Sequence, residues 1–242
     1  MGEIDETNRW VFDFLRRRCD FVEACGRHRL AENIDGHVIW SVTVAALGRI
    51  HARRLARPSK GRDRESLVDA LLTLAPGYGL ATFSVPLLFH DLKWKARHLL
   101  SADPVARFKP TGATWLSTQD QEMGPALADL YAQQPQKLRT LFLRSRYADV
   151  LYREYRCSVL HGFDLGRATM TVPEGPASEF GPPFYGHHQL SDDPDIPPDK
   201  KYRIRIMFPL PYLAEILNAM INEEERATTA ANWRIPRLPT LE

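Results

Sequence analysis

The chain has 242 residues, 44% of them hydrophobic and 26% charged, which excludes a disordered segment and suits one domain carrying an insertion. A formal net charge of +2 excludes any argument for partners from bulk charge, so the distribution of charge has to carry it. Three scattered cysteines, Cys19, Cys25 and Cys157, exclude a disulfide framework and a close zinc pair, and read as buried or idle thiols of a reducing compartment.

The opening MGEIDETNRW is acidic and has no apolar core, so no signal peptide is expected there. Glu6 stands where a myristoylation signal wants Ser or Thr. No run of about 18 apolar residues suggests a membrane span. A cytoplasmic protein with no membrane partner is expected.

In chain order, residues 5–25 read as a helix, capped by Asp5 or Thr7 and ended by Gly26, with Trp10, Phe14, Phe21 and Val22 as its apolar stripe. Residues 36–57 form a second helix. From Val38 to Leu47 it is apolar nearly all round, the mark of a central element. Its last turns carry Arg49, His51, Arg53, Arg54 and Arg57, cations that suit the negative end of the helix dipole. Residues 63–74 make a short third helix, 75–84 a loop, and 85–101 a fourth helix with Leu88, Leu92 and Leu99 inward. A helix at 118–134 ends before Pro135. The strongest helical pattern spans 136–161, where Leu138, Leu141, Phe142, Ala148, Leu151, Tyr152, Tyr155 and Val159 recur three or four apart.

After Gly162 the character changes. Residues 173–198 are rich in proline, which rules out helix and central strand. Residues 201–208 alternate as a half-buried strand, with Tyr202, Ile204, Ile206 and Phe208 on one face and Lys201, Arg203, Arg205 and Met207 on the other. Residues 168–172 are its candidate partner. A final helix at 209–225 places Leu213, Ile216, Leu217, Met220 and Ile221 at helical spacing, and Thr228 onward reads as a tail. The fold expected is mainly α: a helical bundle with an inserted β-hairpin before the last helix. The domain reading is an N-terminal helix packing on the bundle at 1–35, a helical domain at 36–225 with a Pro-rich insertion at 167–208, and a tail at 226–242.

Chemistry concentrates in YADVLYREYRCSVLHGFDLG, residues 147–166. Arg156 offers a planar fork of donors that matches phosphate. His161 titrates near neutrality and moves protons. Metal-free RNA cleavage needs a base for the 2′-hydroxyl, a cation for the phosphate and an acid for the leaving 5′-oxygen. One histidine does not serve easily as both base and acid, whereas two copies across a two-fold axis divide the work. On an ideal helix five steps place Arg156 and His161 about 140° apart, so they share a face only if the helix ends or distorts near His161. By spacing alone, a surface Arg in a salt bridge and a His near a helix C-terminus explain the pair as well.

The segment RCSVLH, with Tyr152 and Tyr155 before it and Gly162 after it, resembles the R-x4–6-H signature of HEPN domains. Cys157 follows Arg156 where many members have asparagine. IWSVTVAALGRI and GRDRESLVDALL are loosely similar to the opening half of several HEPN-like bacterial proteins, so the resemblance spans roughly residues 36–225. It implies a homodimer whose two motifs face one another, and endoribonuclease activity in toxin–antitoxin or antiphage systems, without metal or organic cofactor. It assigns Arg156 and His161 as the catalytic pair.

Tyr155, Ser158 and Asp164 stand beside the pair as supporting groups. Ser158 also reads as a helix-surface residue, and Asp164 as a satisfier of turn N–H groups. Arg146, Arg153, Arg203 and Arg205 are candidate RNA contacts. The same charges also suit a solvated helix face and a guarded edge strand. His187, His188, Asp192 and Asp193 sit in the Pro-rich stretch, where adjacent histidines point apart in extended chain, so no metal site is expected. Two alternatives stand beside the enzyme. One is a non-catalytic HEPN-like module that binds nucleic acid or protein. The other is a toxin half whose antitoxin partner, for example a nucleotidyltransferase, is encoded alongside.

Overall fold

The computed structural model describes residues 6–28, 34–58, 61–95, 107–108, 115–158, 183–189 and 202–236. The protein is mainly helical, with a two-stranded antiparallel hairpin before its last helix, as the sequence predicts. The chain divides into two compact units, Met1–Tyr78 with Leu210–Glu242, and Gly79–Pro209. The N-terminal helix thus belongs to the same unit as the second, third and last helices. Among the described residues no helix is long and apolar enough to cross a membrane.

The first unit holds α1 (Glu6–His28), α2 (Ile34–Arg54), α3 (Asp63–Leu74) and the last helix, α8 (Leu210–Ala230). α8 packs on all three others. Its Leu213, Ile216, Leu217, Met220 and Ile221 are all buried, the face that their spacing predicts. In α2, Trp40, Val44 and Leu47 fill the centre, and Trp40 Nε1 donates to the Leu213 carbonyl at 2.8 Å, so the indole is buried without losing its hydrogen bond. His37 is buried beside them, and desolvation lowers its pKa to about 4.

Three expectations for this unit need correction. Gly26 does not end α1, which runs on to His28. A Cβ at Gly26 would lie 2.9 Å from Pro211 Cδ, so the glycine serves the close approach of α8 rather than a helix stop. The inward face of α1 is Phe12, Leu15, Cys19, Val22 and Cys25, while Trp10, Phe14 and Phe21 are exposed. α8 continues through Thr228 to Ala230, and the chain after it returns to α1: Asn8 Nδ2 donates to the Trp233 carbonyl at 2.7 Å, and the Ile235 N–H donates to Asn8 Oδ1 at 2.8 Å. Cys19 and Cys25 are buried thiols outside any disulfide, and burial pushes Cys19 up to about 11, which keeps it protonated and unreactive.

Gly48 lets α2 and α3 meet. A Cβ there would stand 3.0 Å from the Ser66 carbonyl oxygen and 3.1 Å from Leu67 Cα, so backbone would have to yield. Gly48→Ala is expected to destabilise the protein by about 1–3 kcal/mol through overpacking, more than the ~1 kcal/mol that helix propensity returns. A urea midpoint unchanged or raised in Gly48→Ala would contradict that close approach.

The second unit holds α4 (Val85–Lys95), α5 (Ser117–Gln133), α6 (Gln136–Ser145), α7 (Tyr147–Val150, continuing as a π-helix over Leu151–Cys157), β1 (Phe184–Gln189) and β2 (Tyr202–Met207). Phe83, Leu88, Leu92, Leu127, Leu130 and Phe142 form the heart of its core. The predicted single helix over 136–161 is broken at Arg146, whose backbone is extended at φ −69° and ψ 137°. Loop backbone imposes the break. The Ser84 N–H donates to the Ser145 carbonyl, and the N–H groups of Tyr147 and Ala148 donate to the carbonyls of Thr82 and Leu80. Those bonds satisfy the first N–H groups of α7, which a new helix start leaves without partners.

β2 pairs with β1, from Phe184 opposite Met207 to Gln189 opposite Tyr202. Its partner therefore lies inside the Pro-rich stretch, which the sequence reading barred from helix and central strand, and not at 168–172 as expected. Residues 184–189 carry no proline, and the prolines at 183 and 194 merely bound them. The alternative partner, 168–172, lies outside the described residues. Ile206 and Phe208 are buried as the alternation predicts, and Met207 is buried as well, against expectation.

Candidate active site

Arg156 lies in the last turn of the π-helical run Leu151–Cys157 and is half-buried. The run follows from what its side chains bury. Tyr147, Leu151 and Tyr155 are spaced four apart and all three are buried. On an α-helix each step of four overshoots one turn by about 40°, so such a series drifts off a seam. Hydrogen bonds of the i→i+5 type widen the turn and reduce that drift. Phe208 fixes the seam from the other side. The Tyr147 and Tyr155 rings meet it edge-on, with centroids 5.5 and 5.6 Å away. The Phe208 N–H donates to the Tyr155 hydroxyl at 3.0 Å.

Tyr155 is therefore a core residue whose hydroxyl holds the end of β2, and burial raises its pKa far above the usual phenol range. Tyr155→Phe keeps the ring but leaves the buried Phe208 N–H without this acceptor. It is expected to lower stability by about 1–3 kcal/mol, read as a shifted thermal midpoint. A midpoint identical to wild type would show that the bond is dispensable.

Ser158 ends the run. Its Oγ donates to the Arg153 carbonyl, five residues back, at 3.3 Å, and its N–H returns to the Tyr155 carbonyl. Cys157 beside it is a free, partly exposed thiol. Arg153 Nε donates to Glu154 and its Nη1 to the Arg144 carbonyl at 3.1 Å. Arg146 Nε donates to Asp149 Oδ2 at 2.7 Å, and Asp149 is buried. Both arginines thus give part of their donor set to their own surroundings. Arg203 and Arg205 lie on β2, opposite His188 and Gly186. His161 and Asp164 lie outside the described residues. Arg153, Arg156 and Ser158 thus lie on one short helical run or at its end.

Two buried carboxylates with full sets of partners carry no signal in the local sequence. Asp120 in the second unit is wholly buried and takes the N–H of Val85 at 2.9 Å, Trp115 Nε1 at 2.8 Å, the Tyr147 hydroxyl at 2.7 Å and the Tyr185 hydroxyl. Burial raises its pKa, and those four hydrogen bonds pull it back in part. It caps the start of α4, and Tyr185 ties β1 to the same cap, where its hydroxyl lies 2.6 Å from Ser84 Oγ. In the first unit, Glu224 of α8 meets His51 and Arg54 of α2. Each set joins residues far apart in sequence, so no local spacing could have signalled it.

Among the described residues no three His, Cys, Asp or Glu groups converge to hold a metal ion. His187 and His188 belong to β1, while Asp192 and Asp193 lie outside the described residues. No protein-family model, curated protein or solved structure matches the chain.

Proposed function

We propose that this chain is a metal-independent endoribonuclease of the HEPN type, acting as a homodimer on RNA, with His161 moving the proton and Arg156 stabilising the phosphate. One observation carries the reading: the helix abandons α geometry over Leu151–Cys157, the turn that delivers Arg156. The motif's five-residue spacing demands a distortion if guanidinium and imidazole are to share a phosphate. π turns inside helices are frequently found at functional sites. The half-buried Arg156 and the neighbouring Arg153 supply positive charge on that run.

In the proposed reaction one His161 removes the 2′-hydroxyl proton, and the 2′-oxygen attacks phosphorus. Arg156 stabilises the charge gathering on the phosphate oxygens. The P–O5′ bond breaks, and the second protomer's imidazolium returns a proton to the leaving 5′-oxygen. The products are a 2′,3′-cyclic phosphate and a 5′-hydroxyl. Within this reading the chain is a toxin or antiphage effector of the cytoplasm, with an antitoxin or regulatory protein as a further partner.

A non-catalytic HEPN-like binding module is favoured by a different observation: Arg146 and Arg153 each spend Nε on a carboxylate of their own helix. The test is RNA cleavage in EDTA by wild type, Arg156→Ala and His161→Ala. Wild-type cleavage lost in both variants supports the enzyme. RNA binding without cleavage supports the module.

A further inference from the structure

We propose that the exposed face of α1 is a stacking platform for single-stranded nucleic acid. Trp10, Phe14 and Phe21 are 63%, 37% and 47% exposed, although the aromatic stripe of an amphipathic helix ordinarily faces the core. With Arg17 they are spaced four, three and four apart, so they share an arc of about 60° on one side of the helix. The Trp10 and Phe14 rings are stacked, with centroids 5.7 Å apart and planes within 9°. The Arg18 guanidinium lies over the Phe14 ring, 4.5 Å from its centroid. This is an open run of flat surfaces with cations set among them, and every base has a face to lay against such a run.

Charge decides the occupant. Asp13 pairs with Arg16, Arg16 also reaches Glu225, and Glu23 takes Arg27. Among the described residues no carboxylate lies within ion-pair range of Arg17 or Arg18. Arg17 is exposed at one edge of that arc, between Phe14 and Phe21 along the helix axis. A dry seam against a second helix would bury that guanidinium at a large desolvation cost. A phosphate backbone instead neutralises it and releases counterions. A membrane surface is a poorer match, since an interfacial helix keeps its cations on the face opposite its aromatics, whereas Arg17 shares their arc.

The inference is independent of the ribonuclease reading. It is tested in the full chain carrying His161→Ala, so that no cleavage can imitate loss of binding. The probe is a labelled short oligouridylate followed by fluorescence anisotropy over a salt series. Trp10→Ala and Phe14→Ala are each expected to weaken binding by about 5- to 150-fold, the range for loss of one base–aromatic stack. Arg17→Ala is expected to flatten the slope of log affinity against log salt by about 0.7. All three positions face outward, so unchanged circular dichroism and melting should accompany the losses. Three results would overturn the proposal: affinity equal to the parent in all three variants, loss confined to binding of anionic lipid vesicles, or a switch from dimer to monomer with oligouridylate binding intact.

Discussion

Alanine at position 161 is expected to lower RNA cleavage by about 10²–10⁴-fold, the range that a positioned proton-transfer group supplies. Arg156→Ala should cost about 10²–10³-fold, comparable with loss of one preorganised electrostatic donor. Arg156→Lys should rescue little of it, because an ammonium cannot present two parallel donors to a phosphate. The double variant should fall no further than the worse single one, since groups that act as a unit are not additive. Cleavage should persist in EDTA and leave 2′,3′-cyclic ends. Division of base and acid between protomers makes a sharper demand. An equal, fully exchanged mixture of wild type and His161→Ala contains about one quarter wild-type dimers, so activity should drop to about one quarter rather than one half. An outcome of one half would mean that each protomer works alone. Full activity in His161→Ala would end the ribonuclease reading.

The helices of this chain were legible because most bury one face at regular spacing. α3 and the apolar face of α8 follow directly from it, and α2 announced its central place by being apolar all round. Where the reading failed, a tertiary partner had overridden a local signal. Gly26 looks like a helix stop, but it answers to Pro211, nearly two hundred residues on. Arg146 breaks a strong helical pattern because loop carbonyls at Leu80 and Thr82 capture the next N–H groups, and neither glycine nor proline marks the place. The α1 aromatics misled in another way: Trp, Phe and Phe outrank Phe, Leu, Cys and Val in hydrophobic bulk, yet the smaller set faces the core. That inversion is itself a reason to look for function on the outer face. In the candidate site, residue types and spacing pointed to Arg156. The π turn beneath it comes from the Tyr147, Leu151 and Tyr155 seam against Phe208, a pairing that no short window of sequence contains.

Glu224→Ala is expected to be the most damaging single change in the first unit, at about 3–5 kcal/mol, the usual result of removing one partner from a buried ion pair. Glu224 is wholly buried and both of its oxygens are used. His51 Nδ1 lies 2.8 Å from Oε2, while Arg54 donates to Oε1 at 2.6 Å and to Oε2 at 3.0 Å. The other His51 nitrogen, Nε2, lies 3.4 Å from Asp69 Oδ2 of α3. The set therefore ties α2 to α8, with the α3 carboxylate nearby but not hydrogen-bonded to His51. Burial raises the Glu224 pKa, but the hydrogen bonds from His51 and Arg54 outweigh it and leave the group below its ordinary value of 4.5. A folded-state value below the unfolded one means that the unfolded chain binds the proton more readily. The stabilisation is thus complete above the unfolded pKa and disappears as pH falls through the folded value. Wild type should lose stability on acidification below about pH 5, and Glu224→Gln should flatten that part of the profile. The same physics makes a prediction of opposite sign. Replacing all three members by apolar groups of similar size, as in His51→Leu, Arg54→Met and Glu224→Leu together, removes the desolvation cost along with the attraction. That variant should recover most of the stability that Glu224→Ala loses. If it melts as low as Glu224→Ala, the geometry of the ion cluster, rather than the cost of stranding its charges, is what holds the bundle together.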